Sequence, residues 1–194
     1  ELKMTVRGIY RTLREIIEDG TDSTGQFHFG NPGHPPLDYL PAPIREYLAL
    51  ELTLEKSWGS DLNLMASYVL SRTYGNYDGM YDQESNFPAQ PNSSMQFDQA
   101  YQLVDATGLL PNDHTHSFKL VASYRTLFGL TCGASFWWTS GTPLNIFGAG
   151  AWSYHSMFLV PRGTAGRLPS ISDLSVRLSY DLPSQAFFGP RPRL

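Results

Sequence analysis

Hydrophobic and polar residues alternate with a period of two along six stretches of the chain. This period places successive side chains on opposite faces, so each stretch predicts a β-strand. In the second stretch, Leu48 and Leu50 alternate with small or charged residues, whereas a helix would repeat its apolar positions about every 3.6 residues. Leu13, Ile16 and Ile17 break the alternation, so the first strand ends early or contains a bulge. The predicted strands cover roughly residues 2–14, 45–57, 61–74, 116–126, 129–139 and 171–181.

The connections between these strands alternate in length. Tight turns are predicted around 57–60 and 126–129, whereas the gaps at roughly 15–44, 75–115 and 140–170 are long and rich in Gly, Pro, Asn, Asp and Ser. In an up-and-down sheet, all the long connections then emerge at one edge and all the tight turns at the other. Outer-membrane barrels have this arrangement.

The predicted fold is therefore all-β, an antiparallel up-and-down transmembrane β-barrel segment with about six strands of a larger barrel. A soluble barrel or sandwich would show the same period and is the alternative. Strands of soluble proteins average about 5–6 residues, however, and the patterned stretches of this chain are about twice as long.

Composition agrees with a surface that partly avoids water. Of the 194 residues, 41% are hydrophobic and only 16% are charged, whereas soluble domains have about 25% charged residues. The net charge is −4 without clustered Lys and Arg, so we expect no nucleic-acid partner. A single cysteine, Cys132, excludes an intrachain disulfide, and we interpret it as a small packed side chain.

Motifs of catalysis are missing from the sequence. It contains no nucleophile elbow, P-loop or zinc-protease motif. We therefore expect no enzymatic activity, no catalytic residue, no cofactor and no dedicated metal site.

The second long connection is acidic: residues 76–115 include Asp78, Asp82, Glu84 and Asp98 and contain no Lys or Arg. Clustered carboxylates suit a cation, a cationic ligand or a metal chelate. The alternative, which we favour, is a solvated acidic loop at a cell surface, where it could also bind divalent ions that bridge it to lipopolysaccharide.

Two histidines close this connection. His114 and His116 would share a face in an extended chain and could chelate a metal. We favour ordinary hydrogen bonds at a junction between loop and strand. Asp113, which precedes them, is interpreted as a turn former.

The third long connection has the opposite charge. Within 140–170 the charged residues are Arg162 and Arg167, accompanied by Trp152 and Tyr154. Arginine with aromatic rings can hold a carboxylate, a phosphate or a sugar. The alternative, again favoured, is that these arginines pair with the acidic connection. The candidate ligand-binding residues are Asp78, Asp82, Glu84, Asp98, Trp152, Tyr154, Arg162 and Arg167.

Short stretches in the loops and at the strand ends resemble the C-terminal barrel region of TonB-dependent receptors. The similarity is greatest to the Oar-like group, which carries a carboxypeptidase-regulatory-like domain in its N-terminal part. The stretches are Asn31-Pro32-Gly33, 45–52, 66–79, Leu110-Pro111-Asn112-Asp113 with His116, Ser140-Gly141-Thr142-Pro143, and Pro161-Arg162-Gly163 with Gly166-Arg167.

The resemblance implies a barrel of about 22 strands in the outer membrane of a Gram-negative bacterium. Residues 1–194 would be a single partial barrel domain, with the plug domain and the remaining strands outside this chain. It further implies uptake of a scarce nutrient or chelate driven through TonB, which would engage the missing N-terminal part. The implied substrate is a small molecule or an oligomer. The alternatives are a non-transporting surface or adhesion protein of Oar type and a passive porin.

The same resemblance orients the strands. Their apolar faces would meet lipid, and charged side chains would point into the lumen, because an Arg or Lys near mid-bilayer costs about 2–4 kcal/mol on the lipid face. The side chains expected in the lumen are Glu51, Glu55, Lys119, Arg125 and Arg177. Aromatic girdles are expected from Tyr10, Tyr47, Trp58, Tyr74, Tyr124 and Tyr180, near the strand ends.

Overall fold

The computed structural model describes residues 1–81, 91–92, 95–149 and 156–181. Two short 3₁₀ helices, Met95–Phe97 and Ala100–Leu103, accompany the strands, and no helix in the described ranges is long and apolar enough to cross a membrane. The strands are β1 (Leu2–Leu13), β2 (Glu18–Thr21), β3 (Phe27–Gly30), β4 (Arg45–Trp58), β5 (Leu62–Gly75), β6 (Gly108–Leu109), β7 (His116–Arg125), β8 (Leu130–Thr139), β9 (Phe147–Ala149), β10 (Ser156–Phe158) and β11 (Ile171–Tyr180).

Six long strands form one antiparallel sheet in the order β1-β4-β5-β7-β8-β11, and the two-residue β6 pairs with the end of β5. The six predicted strands and their up-and-down order are confirmed, with every bound within one residue of its prediction. The sheet is open, with β1 and β11 at its edges in the part of the chain that is described. The first strand ends at Leu13 without a bulge.

Tight turns join the strands at one end of the sheet. Residues 59–61 connect β4 to β5, and residues 126–129 connect β7 to β8. Each turn contains a glycine with a positive φ, 62° at Gly59 and 88° at Gly129, a conformation that costs other residues energy. The long connections all lie at the opposite end, as the alternation of lengths predicts.

The two faces of the sheet differ in polarity. Register brings apolar side chains into continuous rows on one face, and most of them are exposed; Val176, for example, exposes 67% of its surface. One row crosses all six strands through Met4, Leu54, Ala66, Leu120, Phe136 and Leu174. We call this side the apolar face.

The opposite side, which we call the polar face, carries most of the charges; Glu46, Lys56 and Arg72 lie on the apolar face, towards its two ends. Arg7 donates to Glu51 at 2.6 Å and Lys3 to Glu55 at 3.5 Å, each across the β1–β4 pair. The predicted common face is confirmed for Glu51, Glu55, Lys119, Arg125 and Arg177. A shift of one residue in register would exchange the two faces, so this pattern specifies the pairing strongly.

The long connections are not structureless, contrary to what their loop-rich composition predicts. They contain the hairpins β2–β3 and β9–β10 and the two 3₁₀ helices. They also share one hydrophobic cluster, to which all three connections contribute. Its buried members are Ile16, Leu37, Leu40, Tyr77, Phe97, Leu103, Ala106 and Phe158. We call this packed unit the loop cap; the break in alternation at Ile16 marks the point where the chain leaves the sheet to enter it.

Candidate functional site

The candidate residues that the structure describes lie inside or beside the loop cap. Asp78, Asp98 and Arg162 are buried, and Arg162 exposes only 1% of its surface. Arg167 is partly exposed. Of the remaining candidates, Asp82, Glu84, Trp152 and Tyr154 fall outside the described residues.

Arg162 and Asp78 form a buried ion pair between the second and third connections. The Arg162 guanidinium also donates to the Ala106 carbonyl and to Oε1 of Gln96, both at 3.2 Å. Its charge lies 5.1 Å from the centre of the Phe158 ring. Gln96 completes the network by donating to the Asp78 carboxylate at 3.2 Å. A buried charge is tolerated only when paired and hydrogen-bonded in this way.

Arg45, the first residue of β4, attaches this network to the sheet. Its guanidinium donates to the Tyr77 carbonyl at 3.1 Å and to the Asp78 carbonyl. Asn76 supports the same junction, since its side chain accepts from the Ile44 backbone N–H at 2.6 Å. Burial, with the Glu18 carboxylate as a second cause, raises the pKa of Tyr77 to about 12.

A second ion pair joins Arg167 to Asp113 at 2.6 Å. The Asp113 carboxylate also accepts from the Thr73 backbone N–H at 2.6 Å and from the Thr115 hydroxyl at 3.0 Å. Arg167 donates further to the Gly141 carbonyl at 2.9 Å. Asp113 is therefore a loop anchor as well as a turn former.

The two ion pairs decide between the interpretations that the sequence left open for the acidic connection and for the arginines. Of the two interpretations of the arginines, pairing with the acidic connection is the one that the structure shows. The favoured expectation of a solvated acidic loop is wrong for Asp78, Asp98 and Asp113, which are all buried. Asp78 and Asp113 can stay out of water because each faces an arginine that neutralises its charge.

Two glycines permit the close approach of the connections. A Cβ on Gly108 would overlap the Arg162 carbonyl, and one on Gly141 would overlap the Leu168 carbonyl. Sequence reasoning did not identify Arg45, Asn76 or Gly108 as part of the site. Glycine at a loop-to-strand junction is the only signal that could have suggested the contact at Gly108.

His114 and His116 make ordinary hydrogen bonds, which is the interpretation that the sequence favoured. His114 Nδ1 lies 2.6 Å from the Ser140 carbonyl, and His116 Nδ1 lies 2.7 Å from the Tyr68 hydroxyl. In the described ranges no group of three or more His, Cys, Asp or Glu side chains could hold a metal ion.

The hairpin of the first connection has its own polar cluster at the tip. The Asp22 carboxylate accepts from the Thr24 hydroxyl at 2.7 Å and backbone N–H at 2.8 Å, from the Gln26 N–H at 3.0 Å, and contacts His28 Nε2 at 2.9 Å. These hydrogen bonds, that of the Thr24 hydroxyl first, hold the pKa of Asp22 well below its usual range. The tip is thereby fixed in shape.

Taken together, the chain is an all-β antiparallel sheet with one apolar face, one polar face and all its long loops at one end. This is the arrangement of a β-barrel wall. No protein-family model and no solved structure matches the chain.

Among curated proteins, the chain is similar to the TonB-dependent transporter Oar of Myxococcus xanthus. The two are 32% identical over 180 residues, which cover 88% of this chain and 17% of that protein. The chain therefore spans about a sixth of the length of this relative. The similarity supports the family of TonB-dependent transporters without distinguishing a subgroup within it, and the relative is a transporter rather than an enzyme.

Proposed function

We propose that this chain is part of the barrel wall of an outer-membrane receptor that takes up a scarce nutrient or chelate in a TonB-dependent manner. The observation that carries the proposal is the apolar face, whose central rows cross six long strands without a charged residue and are left largely exposed. In water such a surface would be a serious liability. Against lipid it is favourable, whereas turning Lys119 or Arg177 to mid-bilayer instead would cost about 2–4 kcal/mol each.

The remaining partners follow from this orientation. The apolar face meets lipid, and the loop cap lies at the outer rim beside lipopolysaccharide. TonB would engage the N-terminal part of the protein, outside this chain. We propose that substrate is captured at the loop cap, with Asp82, Glu84, Trp152 and Tyr154 as its ligand contacts. The buried Asp78, Asp98 and Arg162, with Arg167, then hold the cap in shape.

Fractionation of the full-length protein tests the membrane assignment. We expect recovery in the outer-membrane fraction and a shift in electrophoretic mobility when the sample is heated, as folded barrels show. Recovery in the soluble fraction would contradict the proposal.

TonB dependence is tested separately. We expect the full-length protein to bind the purified periplasmic domain of TonB, and a variant truncated at its N-terminus to lose that binding while still reaching the outer membrane. Membrane insertion without TonB binding would instead favour a surface protein of Oar type or a passive porin.

A further inference from the structure

We infer that the polar face carries an anion-binding cleft beside the loop cap, where Arg7, Arg11 and Arg45 receive a phosphate or carboxylate group of a ligand. The inference rests on the proposed function, in which the polar face lines the lumen. We call this feature the rim cleft.

The rim cleft has a volume of about 500 Å³, within the range of small-molecule sites. Its walls come from β1, β4, the end of β5 and the second connection, which contributes Asn112. The pairing of β1 with β4 places the arginines on one side of the sheet. Arg7 lies opposite Glu51 and Arg11 lies opposite Tyr47, all on the polar face. Arg45 lies one step further along that face.

Arg7 and Glu51 neutralise each other within the rim cleft, since they are joined by a hydrogen bond of 2.6 Å. Glu46 offers no further compensation, because it lies on the opposite face and binds Arg14 there at 2.8 Å. Asp78 does not line the rim cleft and is paired with Arg162.

Arg11 and Arg45 are thus left without an ion pair of their own among the described residues. Arg11 makes only a contact with the Tyr47 ring, 5.9 Å from its centre, and has no ion pair in the described part of the chain. The hydrogen bonds from Arg45 go to uncharged backbone carbonyls. The Asp78 carboxylate attracts the Arg45 charge, but it is already the ion-pair partner of Arg162. The rim cleft therefore carries an excess of positive charge, which favours the binding of an anion.

The geometry of the guanidinium group narrows the ligand class. Its planar set of donors matches the paired oxygens of a carboxylate or phosphate better than a spherical ion such as chloride. Tyr47 and Asn112 add polar groups to the wall that can bond the uncharged part of such a ligand. Because the cleft is open to water, affinity should fall as salt rises.

The test uses the full-length receptor purified from the outer membrane in detergent. Ligand-observed NMR at low salt measures binding of inorganic phosphate, of citrate as the carboxylate probe, and of glucose as a neutral control. We expect phosphate or citrate to bind and glucose not to bind. The two anions separate a phosphate site from a carboxylate site.

Variants locate the site. Arg11→Gln should weaken anion binding at least about tenfold, and it should leave folding intact because Arg11 makes a single exposed contact. The matched control is Arg177→Gln, which removes an exposed arginine from the same face on β11 and should leave binding unchanged.

Equal binding by wild type and Arg11→Gln would overturn the inference, as would equal losses in Arg11→Gln and Arg177→Gln. It would also be overturned if Arg11→Gln lowered the unfolding temperature without changing anion binding, because the cleft would then hold another segment of the protein. Recovery from the outer membrane is scored independently, so failure of the proposed function is distinguishable from failure of this site.

Discussion

Replacing Arg162 by methionine should loosen the loop cap more than any other single change of a charged side chain in the described ranges. The variant leaves the Asp78 carboxylate buried, with 4% of its residue surface exposed, and removes the cation that faces it. Breaking a buried pair from one side costs about 3–5 kcal/mol. Since each 1.4 kcal/mol is a factor of ten, local opening should become on the order of 100- to 4,000-fold more frequent.

Hydrogen exchange measured by mass spectrometry on the full-length receptor reports this opening. The relevant amides are those of 104–107, which precede β6, because the Arg162 backbone N–H donates to the Asp105 carbonyl and the Ala106 N–H donates to the Leu103 carbonyl there. Their exchange should accelerate in Arg162→Met and stay unchanged in the strands of the sheet. Arg177→Met serves as the control at an exposed position.

A double variant separates charge from packing. Arg162→Met combined with Asp78→Asn removes both charges, so exchange should return most of the way to the wild-type rate. The reasoning would be refuted if Arg162→Met exchanged no faster than Arg177→Met. It would equally be refuted if the double variant opened as often as the single one.

Three further changes probe other parts of the structure. Gly141→Ala would place a Cβ against the Leu168 carbonyl, so proteolysis within 140–170 should accelerate, whereas Gly59→Ala in the opposite turn should leave that rate unchanged. The pKa of Tyr77 is raised from its ordinary 10.0 to about 12. The neutral Tyr77 side chain therefore contributes to the free energy of unfolding below pH 10, and this contribution is lost as the pH rises through 12. In Tyr77→Phe, the unfolding temperature should fall less over this pH range than it does in the wild type. Leu52→Arg on the apolar face should cost about 2–4 kcal/mol and reduce the yield of folded barrel, while Thr53→Arg on the polar face should not; equal yields would contradict the assigned faces.

The sheet could be predicted from the sequence because period-two patterning is local. The alternation within β4 alone predicts that Leu48, Leu50 and Leu52 share a face, whichever strands pair with it. The order of the strands followed from the lengths of the connections, because a tight turn can only join adjacent antiparallel strands. The charges of the polar face followed from the same alternation.

The loop cap could not be predicted because its contacts join residues far apart in the chain. Arg162 and Asp78 are 84 positions apart, and nothing local indicates that either is buried. Composition alone made 76–115 look like a solvated acidic loop. Pairing of the arginines with the acidic connection was nevertheless the favoured interpretation of the sequence, because opposite charges lie in two connections at the same end of the sheet.

Accessibility of single cysteines along β4 tests the orientation of the sheet most directly. In a full-length receptor with Cys132 replaced by alanine, a spin label is placed in turn at each position from 48 to 55, and the protein is reconstituted into bilayers. Labels at Leu48, Leu50, Leu52 and Leu54 should collide with oxygen dissolved in lipid, whereas labels at Ala49, Glu51, Thr53 and Glu55 should collide with a water-soluble nickel chelate. Access of the nickel chelate to the leucine positions, or the absence of any alternation, would contradict a lipid-facing apolar surface.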